Sequence, residues 1–237
     1  MICWVVERAR AASSVSRVIV ATDDHRILDA VRSCGYEAVE TRASHASGTD
    51  RIAEVAQDLD DADLIVNVQG DEPLIAPETI DRAVAALIDP SGQEPESSLQ
   101  MSTAWEPIES VADVLNPDVV KIVVDESQRA LYFSRAPIPY PRQAVQEHGT
   151  LQAALENSPT LLGLFKKHSG LYVYSRQLVL EFTRWPQSEL ERQESLEQLR
   201  ALERGVVIKA VEAVSTSIGV DTMADLDRVR TLMETRV

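Results

Sequence analysis

Apolar positions along the chain fall into two alternating periods. Ile2, Val5, Val6 and Ala9 sit at helical spacing, so the chain opens inside a helix. Val18-Ile19-Val20-Ala21 is a short apolar run, expected as a buried strand. Asp23 or Asp24 can then cap a helix carrying Ile27, Leu28 and Val31, and Gly35 can end it. Tyr36 to Glu40 reads as a second strand, and Ile52, Val55, Ala56 and Leu59 as the buried stripe of another helix. Leu64-Ile65-Val66-Asn67-Val68 is the clearest strand, and its continuity predicts burial on both faces. Ile80, Val84, Leu87 and Ile88 return to the helical period. Strands alternating with helices imply crossovers and a parallel sheet.

The middle of the chain changes character. Leu99, Met101, Thr103 and Trp105 alternate with other residues, which predicts a strand with one buried face. Val119 to Val124 and Ala130 to Phe133 flank Asp125-Glu126-Ser127-Gln128-Arg129, a hairpin-like connection. Pro137, Pro139 and Pro141 then break regular structure. Arg142 to Thr160 is read as a flexible or oligomerising insertion. A strand is expected at Leu171 to Tyr174, a helix from Glu189 to Glu203 and a strand at Val206 to Val211. Thr222 with Asp225 three residues on forms a capping box for a last helix, whose apolar face is Leu226, Val229, Leu232 and Met233.

Composition narrows the class. With 237 residues, 44% apolar and 26% charged, the chain has length for a proper core and argues against disorder. No apolar run reaches the roughly 18 residues of a membrane span. The start has no basic lead before an apolar stretch, so no secretory signal is expected. Cys3 and Cys34 offer neither metal spacing nor a disulfide framework, so a reduced, cytoplasmic protein is the expectation. Between Ile52 and Val120 there are 16 acidic residues against Arg82 alone, which equals the whole formal charge of −15. A nucleic-acid backbone would require the opposite sign. Most of these carboxylates read as a solvated face.

Six segments carry candidate chemistry. Val68-Gln69-Gly70-Asp71-Glu72-Pro73 follows the clearest strand, at the end where open α/β sheets bind ligands. Gly70 allows a sharp turn and Asp71 is left projecting, a hard oxygen ligand suited to Mg²⁺ bridging substrate phosphates, or else an ordinary turn residue. Asp221, in Gly219-Val220-Asp221-Thr222, either completes such a site or only favours the dipole of the following helix. The stretch from Thr41 to Arg51 can present backbone N–H groups to an anion or base edge, or can be a simple cap. Arg135, at a strand end, can fork onto a carboxylate or phosphate, with a surface ion pair as the alternative. His168 to Tyr174 alternates polar tips that can face a sugar or be half-buried strand residues. Ser195 to Arg200 lies on a helix, where solubility alone explains the charge of Glu197. There is no nucleophile–base arrangement, no G-x-G-x-x-G and no G-x-x-x-x-G-K-[ST], so covalent catalysis is not supported.

These segments in this order, with Asn116-Pro117 followed by Val120-Lys121, resemble the 3-deoxy-manno-octulosonate cytidylyltransferases, or CMP-Kdo synthetases, almost from end to end. The resemblance implies an α/β, three-layer, Rossmann-like nucleotidyltransferase fold in one domain over residues 1–237. It implies a mixed, mostly parallel central sheet and a smaller inserted β-rich dimerisation region. It implies CTP and the sugar acid Kdo as substrates, CMP-Kdo and pyrophosphate as products, lipopolysaccharide synthesis as the context, and a homodimer. By motif, Asp71 and Asp221 hold Mg²⁺; Arg42, Ser47 and Gly48 line the cytidine site; and Gln69, Arg135, His168, Tyr172, Glu197 and Gln198 face the sugar acid. Asp71, Asp221 and Arg135 form the implied catalytic set.

The chain departs from the family at one place. Family members begin with a further strand and a loop bearing glycine, arginine and lysine that grips the triphosphate, whereas Met1-Ile2 matches an internal Met-Ile of the family. The expectation is that the natural start lies earlier. Without that strand, apolar sheet edge is exposed and nucleotide binding weakened. The departure also leaves open a non-catalytic sugar-binding or dimerisation protein. CMP-sialate synthesis is the alternative within the same class.

Overall fold

The helical periods become helices in a computed structural model, which describes residues 1–88, 100–220 and 222–234, with side chains as far as Leu232. Leu99, Asp221 and the side chain of Met233 therefore lie outside the described residues. Helix α1 (Ile2–Arg10) buries Val5, Val6 and Ala9. Helix α2 (His25–Ser33) starts where the Asp24 carboxylate accepts the Arg26 N–H, and it buries Leu28 and Val31 but leaves Ile27 exposed. Gly35 follows its end at φ +79°, a conformation glycine adopts without steric cost. Helix α3 (Gly48–Ala56) is capped by Ser47, and α4 (Pro77–Ala85) has proline in its first turn. Ile88, expected on the apolar face beyond α4, is exposed.

Two sheets form. Strands β1 (Ile19–Thr22) and β2 (Glu37–Glu40) pair in parallel, Ile19 opposite Glu37. The larger sheet holds β3 (Leu64–Asn67), β4 (Met101–Pro107), β5 (Lys121–Val124), β6 (Ala130–Ser134), β7 (Lys166–Ser175) and β8 (Ile208–Glu212). Its order is β6-β5-β7-β4-β8, with β3 also paired to β7. Helix α8 (Arg176–Phe182) continues directly from β7.

Side chains alternate across the larger sheet. Met101, Tyr174, Ile208 and Ala210 enter one core with α3 and α8, while Ala104, Leu171 and Val173 enter another with α1 and α4. Helices therefore cover both faces. This explains why β4, expected to bury one face, is buried on both from Met101 to Glu106.

The sheet is not mostly parallel. Only β1–β2 and β4–β8 are parallel, whereas β7 runs antiparallel to β3, β4 and β5, and β5 to β6. Apolar continuity reports burial but carries no strand direction; the β5–β6 hairpin reverses the chain, and β7 keeps the sense of β6. Arg142 to Thr160, expected as a flexible or oligomerising insertion, is helical, with α6 (Arg142–His148), α7 (Leu151–Asn157) and a 3₁₀ turn (Pro159–Leu164). Ala154 and Leu155 are fully buried there, and Leu155 packs into a small core with Ile108, Val114 and Phe165. Val114 belongs to the short helix α5 (Val111–Leu115).

Three further expectations change. The helix expected from Glu189 to Glu203 is two helices, α9 (Glu189–Glu194) and α10 (Gln198–Glu203), separated where Ser195 adopts the left-handed conformation at φ 52°. In α11 (Met223–Glu234) the Thr222–Asp225 box forms, but Val229 is buried while Leu232 is exposed. Cys3 and Cys34, expected as free thiols, form a disulfide, because α1 packs beside α2 and sets their Cα atoms 6.7 Å apart. No helix among the described residues is long and apolar enough to cross a membrane.

Among the described residues β1 pairs only with β2, and β3 only with β7. The free edges of β1 and β3 face the same apolar cavity of about 390 Å³, walled by α1, α3 and α4 through Val6, Ile52 and Ile80.

Candidate active site

Beyond β3 the chain makes a tight turn, in which the Glu72 N–H donates to Gln69 O at 3.2 Å and the Ile75 N–H to Glu72 O at 3.3 Å. Asp71 is half-buried on this turn. Its carboxylate takes no hydrogen bond or ion pair from the described residues, so its lone pairs are available. The Val220 N–H donates to Asp71 O at 2.9 Å, which brings the chain leading to Asp221 against the turn. No group of three or more His, Cys, Asp or Glu among the described residues gathers into a cation cage. Asp71 offers one hard oxygen ligand, which fits a cation held mainly by substrate phosphates, as Mg²⁺ is.

Glu72, next to Asp71, points inward. Its carboxyl is pushed up by burial, against which the Ser217 hydroxyl donates a hydrogen bond. Glu106 on β4 is likewise raised by burial, while accepting the Ser217 N–H at 3.0 Å.

The polar tips expected to face a sugar do converge. His168 and Tyr172 project from β7 with their ring centres 5.2 Å apart, and Phe133 meets His168 edge-on at 5.1 Å. Burial, aided by Lys167, holds the His168 imidazole down at about 3, so it is neutral at physiological pH. Its tautomer follows from Thr103. The Thr103 hydroxyl has one proton and donates it to Leu171 O at 2.7 Å, so it accepts from His168 Nε2 at 2.9 Å. Nε2 therefore carries the proton, and Nδ1 is left as an acceptor.

Burial likewise raises the Tyr172 and Tyr174 phenols, with the Glu197 carboxylate adding to both. Glu197 stands at the start of α10 and accepts the Thr49 hydroxyl at 2.6 Å. The nearby Thr49 and Asn67 side chains work against that rise at Tyr174. Gln198 is buried in the first turn of α10. Gln69 reaches this group from the Asp71 turn, since a Cβ placed on Gly170 would lie 3.2 Å from Gln69 Cγ.

Arg135, just after β6, is fixed from behind. Its Nε donates to Glu194 O at 2.7 Å and its Nη1 to Pro117 O at 3.0 Å. The Glu194 carboxylate takes the Arg135 N–H at 2.9 Å and the Ser134 hydroxyl at 2.6 Å. Nη2 makes no hydrogen bond or ion pair among the described residues, so its N–H groups can meet an anion. Lys121, fully buried nearby, donates to Asn116 O at 2.9 Å and Val119 O at 2.6 Å. Burial lowers its ammonium, and the Arg135 charge adds to that.

The Thr41 to Arg51 stretch is braced by its own side chains. Arg51 donates to the Thr41 hydroxyl at 2.5 Å and pairs with Asp23 at 2.9 Å. His45 and Arg42 both pair with Glu54, and Arg42 remains largely exposed. The Ser47 hydroxyl caps α3 by accepting the Asp50 N–H at 3.2 Å, and Gly48 has open space above its Cα. The structure thus brings Gln69, His168, Tyr172 and Glu197 together through side chains and tethers the Asp71 turn to them. Arg42, Ser47 and Gly48 sit on the loop into α3, which Thr49 ties to Glu197.

Thr49, Thr103, Glu194, Glu72, Glu106 and Ser217 were not legible as site residues. Thr49 and Glu72 lie within singled-out stretches, beside Gly48 and beside Asp71. The others act across long sequence separations and leave no local signal.

The cytidylyltransferase family model matches residues 1–211. The chain belongs to this cytidylyltransferase family. It is 49% identical to the 3-deoxy-manno-octulosonate cytidylyltransferase of Syntrophotalea carbinolica, over 97% of this chain and 86% of the relative. It is 50% identical to that of Geotalea daltonii over the same shares. Among solved structures it matches a CMP:2-keto-3-deoxy-manno-octonic acid synthetase complexed with CTP, with TM-score 0.84 and 39% identity, over 100% of this chain and 88% of that one. A 4-diphosphocytidyl-2C-methyl-D-erythritol synthase from Anaerococcus prevotii shares the fold alone, at TM-score 0.58 and 10% identity. The α/β nucleotidyltransferase fold and its mixed sheets agree with these relatives.

Proposed function

We propose that this protein transfers the cytidylyl group of CTP to Kdo, forming CMP-Kdo and pyrophosphate for lipopolysaccharide synthesis. The observation that carries this reading is the match, over the whole chain, to a CMP-Kdo synthetase solved with CTP. The pocket chemistry agrees with it. A sugar acid needs a cation for its carboxylate and neutral polar groups for its hydroxyls, and Arg135, His168, Tyr172 and Gln69 supply these.

Within this reading the Arg135 guanidinium edge binds the sugar-acid carboxylate, already oriented by Glu194. His168 Nδ1 accepts from a sugar hydroxyl, and Tyr172, Glu197 and Gln198 complete the sugar contacts. Because His168 stays neutral, it orients the substrate and relays no proton. Arg42, Ser47 and Gly48 border the cytidine. Asp71, with Asp221, holds Mg²⁺, which when bound shields the phosphates and acidifies the attacking hydroxyl. The 2-hydroxyl oxygen of Kdo bonds to the α-phosphorus of CTP as the α–β phosphoanhydride breaks, with no covalent enzyme intermediate. The active form is a homodimer in this reading, which light scattering tests.

The decisive experiment is pyrophosphate release by this chain. Release that requires CTP, Kdo and Mg²⁺ together, and that is far slower with N-acetylneuraminate, is the expected outcome. A folded sample that is silent at saturating substrates, or equally fast with either acid, overturns the assignment.

A further inference from the structure

Asp71 projects from a turn that begins at Gly70, and among the described residues its own carboxylate is held by nothing. Something else must fix where that carboxylate stands. Ser217, in the segment between β8 and α11, is 8% exposed and reaches in two directions. Its backbone N–H donates to Glu106 Oε1 on β4 at 3.0 Å, and its hydroxyl donates to Glu72 Oε2 on the turn. Three residues further on, the Val220 N–H donates to Asp71 O at 2.9 Å. Glu106 is itself anchored: it is 3% exposed, lies within a strand paired on both sides, and has Lys167 of β7 at 3.8 Å.

We infer that Ser217 is a positioning residue, tying the Asp71 turn to β4 through the Glu72–Ser217–Glu106 chain. The inference rests on the reading of Asp71 as a metal ligand. The serine is suited to this work because one small side chain offers a hydroxyl to the turn while its backbone is pinned to the sheet. An alanine keeps the second contact and loses the first. The turn would then be tied to the segment from Ser217 to Val220 by the Val220–Asp71 bond alone, next to a glycine of wide conformational freedom.

The probe is Mn²⁺, titrated into the protein with CTP present and followed by electron paramagnetic resonance. It is run beside the Mg²⁺ dependence of turnover. Ser217→Ala removes one hydrogen bond to a carboxylate, so about a tenfold weakening of Mn²⁺ binding is expected, with a matching rise in half-saturating Mg²⁺. The KM for Kdo should stay within twofold, and Ser217→Thr should restore the metal constants. Glu72→Ala cuts the same link from the other side. The double variant should then be no worse than the weaker single one. Metal constants within twofold of the parent in Ser217→Ala, or losses that add in the double variant, overturn the inference. Asp71→Asn is measured alongside: unchanged Mn²⁺ binding there overturns the metal reading underneath, a result distinct from either of the others.

Discussion

Replacing Arg200 with leucine should cost this protein much of its stability. Arg200 and Glu191 pair deep in the structure, with side chains 8% and 3% exposed. Arg200 Nε donates to Glu191 Oε2 at 2.7 Å, Nη2 pairs with Oε1, and Nη1 reaches Phe182 O at 3.3 Å. The guanidinium lies 4.4 Å from the centre of the Phe182 ring. Without Arg200 the Glu191 carboxylate keeps one backbone donor, the Ser188 N–H at 3.1 Å. Stranding a buried charge in this way costs about 3–5 kcal/mol. In a chain of this size that is a fall in Tm of roughly 6–20 °C. Urea unfolding at pH 7 measures the loss directly. The double variant with Glu191→Leu as well should recover part of it, because neither charge is then left alone. A single-variant loss below about 1 kcal/mol, or a double variant as unstable as the sum of the singles, refutes the reasoning.

The pair also fixes a pH dependence. Burial is the largest single influence and works to raise the Glu191 carboxyl, but hydrogen bonds from Arg200, the Ser188 N–H and Gln187, with the Arg200 charge, together hold it below its ordinary value. Its contribution is therefore present above the unfolded carboxyl's value of about 4.3 and is lost as pH falls through the lower folded value.

Other outcomes can be checked separately. Asp71→Asn should abolish pyrophosphate release while leaving Tm almost unchanged; a wild-type rate at saturating Mg²⁺ would exclude Asp71 from the metal site. Arg135→Ala should raise the KM for Kdo at least tenfold with little change in the KM for CTP, and an unchanged Kdo constant would contradict the carboxylate contact. His168, depressed by burial to about 3, should show no titration above pH 5 in NMR spectra of labelled histidine. The sign for stability follows: the unfolded imidazole takes its proton near 6.5 and the folded one does not, so His168 lowers stability as pH falls from about 6.5 towards 3. A His168 resonance titrating near 6.5 would overturn both statements. Thr49→Val should weaken Kdo binding by freeing Glu197 from its 2.6 Å contact, and unchanged binding would show that the contact does not position Glu197.

The helices of the first third were legible because their apolar residues repeat on one face, as Val5, Val6 and Ala9 do on α1. Strand direction was not, since the run Leu64 to Asn67 reads the same whether its neighbour is parallel or antiparallel. The start of β7 at Lys166 and Lys167 was missed because neither residue is apolar; pairing with β4 and β5 makes them strand. The break at Ser195 had no glycine or proline to announce it. The Asp71 turn stood out through its own Gly, Asp and Pro. The partners that organise the pocket did not, since Thr49 meets Glu197 across 148 residues and Glu106 meets Ser217 across 111.

The gap between β1 and β3 bears on how the protein unfolds. No backbone hydrogen bond between these two strands links the β1–β2 pair to the larger sheet among the described residues; α3 bridges the gap by packing against both β1 and β3. Cooperativity across such a gap travels through side chains, the Cys3–Cys34 disulfide to α1 among them, so residues 19–40 are expected to open as a foldon of their own. In native-state hydrogen exchange this unit should open at lower denaturant than β4, β7 and β8. The loop from Thr41 to Arg51 joins the two units: the Thr41 N–H is held by Thr22 O of β1 at 3.0 Å, and Thr49 is held by Glu197 of the pocket at 2.6 Å.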